Sequence, residues 1–155
     1  MRWGFARAIA LLIFVALALL VLAGCGSASR EVPYTDLTRQ LGPLEFTRIR
    51  SQLFRDRASL LDVLERNNPG RPIPLPNIDF SRREVLLVAT GPRSSSGYEL
   101  RIVRVRDQGD RMVVVVHERT PSLGEAVQAR VTYPFRLISL PRNGKPVKLK
   151  WPGRP

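Results

Sequence analysis

The chain is short of the residues that build covalent and metal cross-links, with one Cys and one His among 155 residues. A single Cys cannot form an internal disulfide, and one Cys with one His falls short of the four ligands of a structural zinc site. We therefore predict no metal and no other cofactor. What is present, 44% hydrophobic and 25% charged residues, is typical of one small globular domain and disfavours collagen-like, disulfide-dense and disordered classes.

Negative charge is also scarce, since 13 acidic residues face 25 basic ones and the formal net charge is +12. In the cytoplasm such an excess would suggest a nucleic-acid partner. Only three of the basic residues are Lys, a bias that base composition of a genome can cause. The partner that this positive charge would attract therefore depends on the compartment of the protein.

The N-terminal segment is typical of an export signal. Arg2 and Arg7 precede an uninterrupted apolar run over residues 8–23. As a helix this run would be about 24 Å long, which is short for a hydrocarbon core of about 30 Å. The segment is therefore predicted to be a signal peptide, covering residues 1–24, rather than a permanent span.

The residues after the run, Leu-Ala-Gly-Cys at positions 22–25, resemble a bacterial lipobox. This motif predicts cleavage between Gly24 and Cys25 and transfer of a diacylglyceryl group, with palmitate among the acyl chains, to the Cys25 thiol. The alternative is a small apolar Cys after a helix that Gly24 terminates. Two acyl chains would hold the mature protein stably on a membrane.

Export determines which partners the basic charge can meet. Loss of Arg2 and Arg7 with the signal peptide would lower the formal charge of +12 by two and leave the mature chain basic. We expect a lipid-anchored protein on the extracytoplasmic face of the cell membrane, with no nucleic-acid partner. Anionic headgroups, acidic wall polymers or an acidic envelope protein could complement its charge.

The mature chain is predicted to contain a lipidated Cys and flexible linker over residues 25–43, a domain over 44–151 and a tail over 152–155. Inside the domain, a first strand is expected over residues 44–55. Asp56 is expected to cap a helix over 57–66, which the sequence Asn-Asn-Pro-Gly ends. Prolines at alternate positions of residues 71–76 favour an extended surface connection.

The remaining pattern is that of a sheet. The apolar run 84–90 predicts a central strand covered on both faces. A strand over 98–106 changes the parity of its apolar residues near Ile102 and Val103, which indicates a β-bulge, and a hairpin turn at 107–110 leads into a strand over 112–117. Two further strands are expected over 129–140 and 147–151. The predicted fold class is α+β, with a mostly antiparallel sheet of about six strands and one helix packed on it.

Five short motifs between residues 79 and 142 carry a resemblance to a known family. They are Asp-Phe-Ser-Arg at 79–82, Gly-Pro-Arg at 91–93, Gly97-Tyr98, Thr-Tyr-Pro-Phe at 132–135 and Leu-Pro-Arg at 140–142. Together they resemble the C-terminal domain of the PrcB family, named for a lipoprotein subunit of a surface protease complex. The resemblance implies association with an envelope protein, such as an exported protease, without catalysis by this chain.

The chain departs from the family pattern in two places. The family loop usually contains two glycines before the tyrosine, whereas Ser96 stands at the first of these positions here. The family often has a Thr-Gln pair before its last long strand, and of this pair only the Gln has a match in this chain, at Gln128.

Two segments are candidates for binding a partner. The loop at residues 91–98 offers hydroxyls, backbone donors and an Arg, although a loop between strands often has this composition for its turn alone. The second is the hairpin formed by the predicted strands 98–106 and 112–117, which we call the basic hairpin because it carries Arg101, Arg104, Arg106 and Arg111. It could bind an acidic partner or anionic lipid, or could be a solvated face that protects a strand edge. The predicted partner-binding residues are Arg93, Ser94, Ser95, Ser96, Gly97, Tyr98, Arg101, Arg104 and Arg106.

Three functions are compatible with these features. The first is a non-enzymatic lipoprotein that binds or stabilises an envelope protein, with a protease as one candidate. The second is a lipoprotein that binds a small ligand or a polyanion. The third is a hydrolase built on His117, although no spacing of Ser, His and acid indicates a triad and we predict no catalytic residue.

Overall fold

The computed structural model describes residues 29–153. The predicted signal peptide over residues 1–24, its cleavage site, Cys25 and the last two residues of the tail lie outside the described residues. Within them, no helix is both long and apolar enough to cross a bilayer. The elements are β1 (Arg30–Glu31), β2 (Thr35–Asp36), α1 (Thr38–Leu41), β3 (Ile49–Phe54), α2 (Arg57–Asn67), β4 (Arg83–Thr90), β5 (Glu99–Asp107), β6 (Met112–Arg119), β7 (Phe135–Pro141) and β8 (Val147–Lys150).

The strands form two four-stranded sheets, which confirms the α+β class and corrects the prediction of a single six-stranded sheet. Sheet A has the order β1-β5-β6-β8 and sheet B the order β2-β7-β4-β3. All pairs are antiparallel except β6 with β8. The physical reason for two sheets is that β4 is apolar on both faces, so it requires cover on both sides.

Sheet B lies between sheet A and a helical layer. Alternate residues of β4 point in opposite directions, so that Leu86 and Val88 pack with Val105 and Val114 of sheet A. The alternate residues of β4, Val85 and Leu87, pack with residues of β7 against the helices in a second core. The buried residues of that layer include Leu37, Leu41, Leu60, Val63 and Leu64.

Helix α2 begins where the sequence predicts. The Asp56 carboxylate accepts a hydrogen bond from the backbone N–H of Ser59 at 2.8 Å, which satisfies one of the free donors of the first turn. This hydrogen bond holds the pKa of Asp56 below its ordinary value. Because the folded pKa is depressed, the capping contribution is present above the unfolded pKa and is lost as the pH falls through the folded pKa.

The prediction of a flexible linker over residues 25–43 is wrong for its described part. Strand β1 pairs with β5, and β2 pairs with β7. Leu37, just before α1, is 6% exposed, and Leu41, at the end of α1, is 4% exposed. The elements are two to four residues long, too short to show a period in the sequence, and their partners are distant along the chain.

Two strand boundaries also differ from the predictions. The strand expected over 129–140 begins only at Phe135, so residues 120–134 form a long loop between β6 and β7. The strand expected over 44–55 is reduced to Ile49–Phe54. The predicted bulge is confirmed, since the register of β5 against β6 shifts between Ile102 and Arg104.

Candidate functional site: the paired loops

Two loops meet at one end of the molecule. One is the predicted loop at residues 91–98, which joins β4 to β5, and the other is the 120–134 loop. Arg93 and Thr132 form an antiparallel bridge, in which each backbone N–H donates to the carbonyl oxygen of the other residue, at 2.8 and 2.9 Å. We call residues 91–98 and 120–134 together the paired loops.

Serines fix the two loops further along their length. The Ser96 N–H donates to the Gln128 carbonyl at 3.0 Å, and the Ser96 hydroxyl accepts from the Gln128 N–H at 3.0 Å. The Thr132 hydroxyl donates to the Ser95 carbonyl at 2.8 Å. Hydrogen bonds between the loops therefore use Ser95 and Ser96, two of the predicted binding residues, while Ser94 is exposed.

Gly97 is needed where the loops approach most closely. A Cβ at this position would lie 2.6 Å from Val127 Cγ1 and 2.7 Å from Pro121 Cβ, shorter than any van der Waals contact between carbon atoms. No positive φ is required there, since Gly97 is not among the positive-φ glycines.

Arg93 is held within the protein. Its guanidinium forms a two-pronged ion pair with Glu118, with 3.0 Å between Nη2 and Oε2, and the two side chains are 16% and 8% exposed. It also lies 6.0 Å from the centroid of the Tyr98 ring. The three residues line an open cleft of about 300 Å³ together with Thr120 and Gly153. The positive charge of Arg93 is thus already neutralised by Glu118.

The paired loops carry exposed apolar residues that the sequence does not reveal. Leu123 is fully exposed, Val131 is 61% exposed and Val127 is 37% exposed. The bend carrying Leu123 is held by Glu125, whose carboxylate accepts two hydrogen bonds from the Arg119 guanidinium, at 2.8 and 2.6 Å. The strand predicted over 129–140 would place Val131 in the sheet, whereas the structure places it in the loop before β7.

The basic hairpin is a separate surface. Arg101 binds Glu99 at 2.6 Å, a hydrogen bond that lowers the pKa of Glu99 and raises that of Arg101. Arg104 and Arg106 are exposed, and they lie toward the end of β5 that is farther from the loop, on the order of 20 Å from Tyr98 by the rise of a strand. The structure therefore does not bring all the predicted partner-binding residues together.

The remaining candidates form no cluster. His117 is exposed on β6, in register with Arg101, and residues 29–153 supply it with no hydrogen bond to a serine or an acid. Over the same residues, no group of three or more His, Cys, Asp and Glu is placed to hold a metal ion.

The strands that carry this site lie in a segment that is similar to a known protein family. Residues 85–141 match the family model described as PrcB C-terminal. The match confirms the resemblance found in the sequence and spans β4 to β7 with both of the paired loops. No curated protein and no solved structure shows a significant similarity to the chain.

Proposed function

We propose, from the premise that residues 85–141 form a PrcB C-terminal domain, that the protein is a non-enzymatic bacterial lipoprotein that binds an envelope protein. Cys25 would carry the lipid that anchors it to the extracytoplasmic face of the membrane. The family is associated with a protease complex, so an exported protease is the partner class that we favour. We assign the partner contact to the paired loops.

The observation that supports this assignment is the exposure of Leu123. Leu123 is an apolar side chain that is fully exposed. Its removal from water by a partner would lower the free energy of the complex. Val127 and Val131 are two further exposed apolar residues of the same loop. A partner protein can bury all three, since protein interfaces are built around groups of side chains rather than single contacts.

The rigidity of the paired loops favours binding as well. Hydrogen bonds to Ser95, Ser96 and Arg93 restrain the 120–134 loop before any partner arrives. A restrained loop loses less conformational entropy on association than a free one. The loops thus present Leu123 on a scaffold whose conformation is already fixed.

Replacing Leu123 and Val131 together by Asp is expected to weaken partner binding at least tenfold. Two charges would be placed in a surface that binding removes from water, and burial of an unpaired charge is costly. The measurement is the amount of partner that copurifies with the tagged protein from detergent-solubilised membranes, identified by mass spectrometry.

Val103→Asp is the matched control, because Val103 is also exposed, at 50%, but lies on β5 outside the paired loops. It is expected to retain the partner. Equal recovery of the same exported protein with both variants would overturn the assignment to the paired loops. Recovery of no exported protein with the unaltered chain would overturn the binding function itself.

A further inference from the structure

The outer face of sheet A carries two short rows of side chains in register. Arg104 lies opposite Val115 on β6, and Val115 lies opposite Lys150 on β8. Two residues further along each strand, Arg106, Val113 and Lys148 form the second row. We call Arg104, Arg106, Lys148 and Lys150 the basic face.

The inner neighbours of these residues establish which way they point. Val105, Val114 and Leu149 pack in the core between the sheets. Since successive side chains of a strand alternate between faces, the residues next to them lie on the side away from sheet B. All four members of the basic face are exposed.

None of these four charges forms an ion pair within the part of the chain that the structure describes, whereas the nearby Arg101 and Lys145 are paired with Glu99 and Asp107. Glu31, opposite Arg106 on β1, is the acid in register with the basic face. Strands β5 and β8 are two strand spacings apart, about 10 Å, so the like charges repel one another across a distance comparable with the Debye length.

The N-terminal connection places this face close to the predicted anchor. Strand β1 is at the edge of sheet A beside β5, and Arg30 follows Cys25 by five residues. Five residues span at most about 18 Å even when fully extended. The pairing of β1, which replaces the expected flexible linker, therefore confines a lipid on Cys25 to the neighbourhood of the basic face.

We propose that the basic face rests on the anionic phospholipid headgroups of the membrane that holds Cys25. This inference rests on the lipid anchor of the proposed function. Negative headgroups relieve the repulsion among the four charges, and each basic side chain near an anionic surface strengthens binding about fivefold. The anchor keeps the face within reach of the bilayer, which a soluble acidic protein would have to find by diffusion. The paired loops lie at the other end of β5 from the basic face. They therefore remain accessible to a partner when the basic face is docked on the membrane.

The test uses the lipidated full chain on vesicles. Acylation consumes the thiol of Cys25, the single Cys, so a Cys introduced by substitution is the one free labelling site. Val103→Cys, beside Arg104, and Glu65→Cys, exposed on α2 in the opposite layer, are labelled with a fluorophore. The vesicles contain phosphatidylcholine, with or without phosphatidylglycerol, and a headgroup-attached quencher.

Quenching at position 103 is expected with phosphatidylglycerol at low salt and is expected to be lost at high salt, while position 65 is not quenched. Reversing two charges by R104E/R106E in the Val103→Cys protein should lower the ratio of docked to undocked protein by at least about 25-fold. R39E/R48E is the control with the same change of net charge, since Arg39 and Arg48 are also exposed and lie outside the basic face.

Protein that floats with the vesicles but shows the same quenching at positions 103 and 65, or shows no dependence on phosphatidylglycerol, would overturn the docking alone. Protein that floats with neither kind of vesicle would overturn the anchor and the docking together.

Discussion

Replacing Arg93 by alanine is expected to lower the free energy of unfolding by about 3 kcal/mol. The substitution leaves the carboxylate of Glu118, a side chain that is 8% exposed, without the guanidinium that binds both of its oxygens. A buried charge without a partner is far more costly than the net contribution of the pair. Urea denaturation followed by circular dichroism measures the difference.

The double substitution Arg93→Met with Glu118→Leu separates this cause from loss of packing. It removes both charges and retains most of the side-chain volume, so we expect a stability close to that of the unaltered protein. Arg101→Ala is the control for an exposed ion pair and should change the urea midpoint little. An effect of Arg93→Ala no larger than that of Arg101→Ala would contradict the buried pair.

Leu41→Ala is expected to lower the free energy of unfolding by about 3 kcal/mol. Leu41 is 4% exposed and packs in the core between sheet B and the helices. Its truncation removes apolar contacts and leaves a cavity that the surrounding side chains fill only partly. The same residue in a flexible linker would contribute nothing to folding, so urea denaturation distinguishes the two descriptions of residues 29–43.

Leu123→Ala is the matched control, because it removes the same atoms from a side chain that is fully exposed. We expect it to change the free energy of unfolding by less than about 0.5 kcal/mol. Equal effects of the two substitutions would show that the N-terminal segment is not part of the cooperative unit.

The elements that the sequence predicts well are those with a strong local signal. The cap of α2 at Asp56 follows from the side chain's ability to accept backbone N–H bonds, and the apolar run of β4 is long enough to require burial on both faces. The bulge at Ile102 is visible because the alternation of apolar residues changes parity there. Each of these signals lies within a few residues of the structure it specifies.

The elements that the sequence does not reveal depend on partners far along the chain. Strand β1 is ordered by pairing with residues 106 and 107, and β2 by residues 138 and 139. The late start of β7 has the same origin, since the backbone of Thr132 is bonded to Arg93 instead of continuing a strand into β7. Local propensity contains no information about such pairings.

The candidate site shows the same division. A loop at residues 91–98 could be recognised from its Gly, Pro and Ser content, and the exposure of Arg104 and Arg106 from their alternation with valines. The ion pair of Arg93 with Glu118 could not be recognised from the sequence, because its partners are 25 residues apart. Nor could the exposure of Leu123, since an apolar residue in a sequence is more often expected in the core.

The chemical state of Cys25 is the point on which both the partner contact and the membrane docking depend. Mass spectrometry of the N-terminal peptide, from protein purified out of membranes, measures it directly. We predict that Cys25 is the first residue and carries a diacylglyceryl group on its sulfur. A bare thiol at Cys25 with residues 1–24 still attached would contradict the lipid anchor and export of the protein.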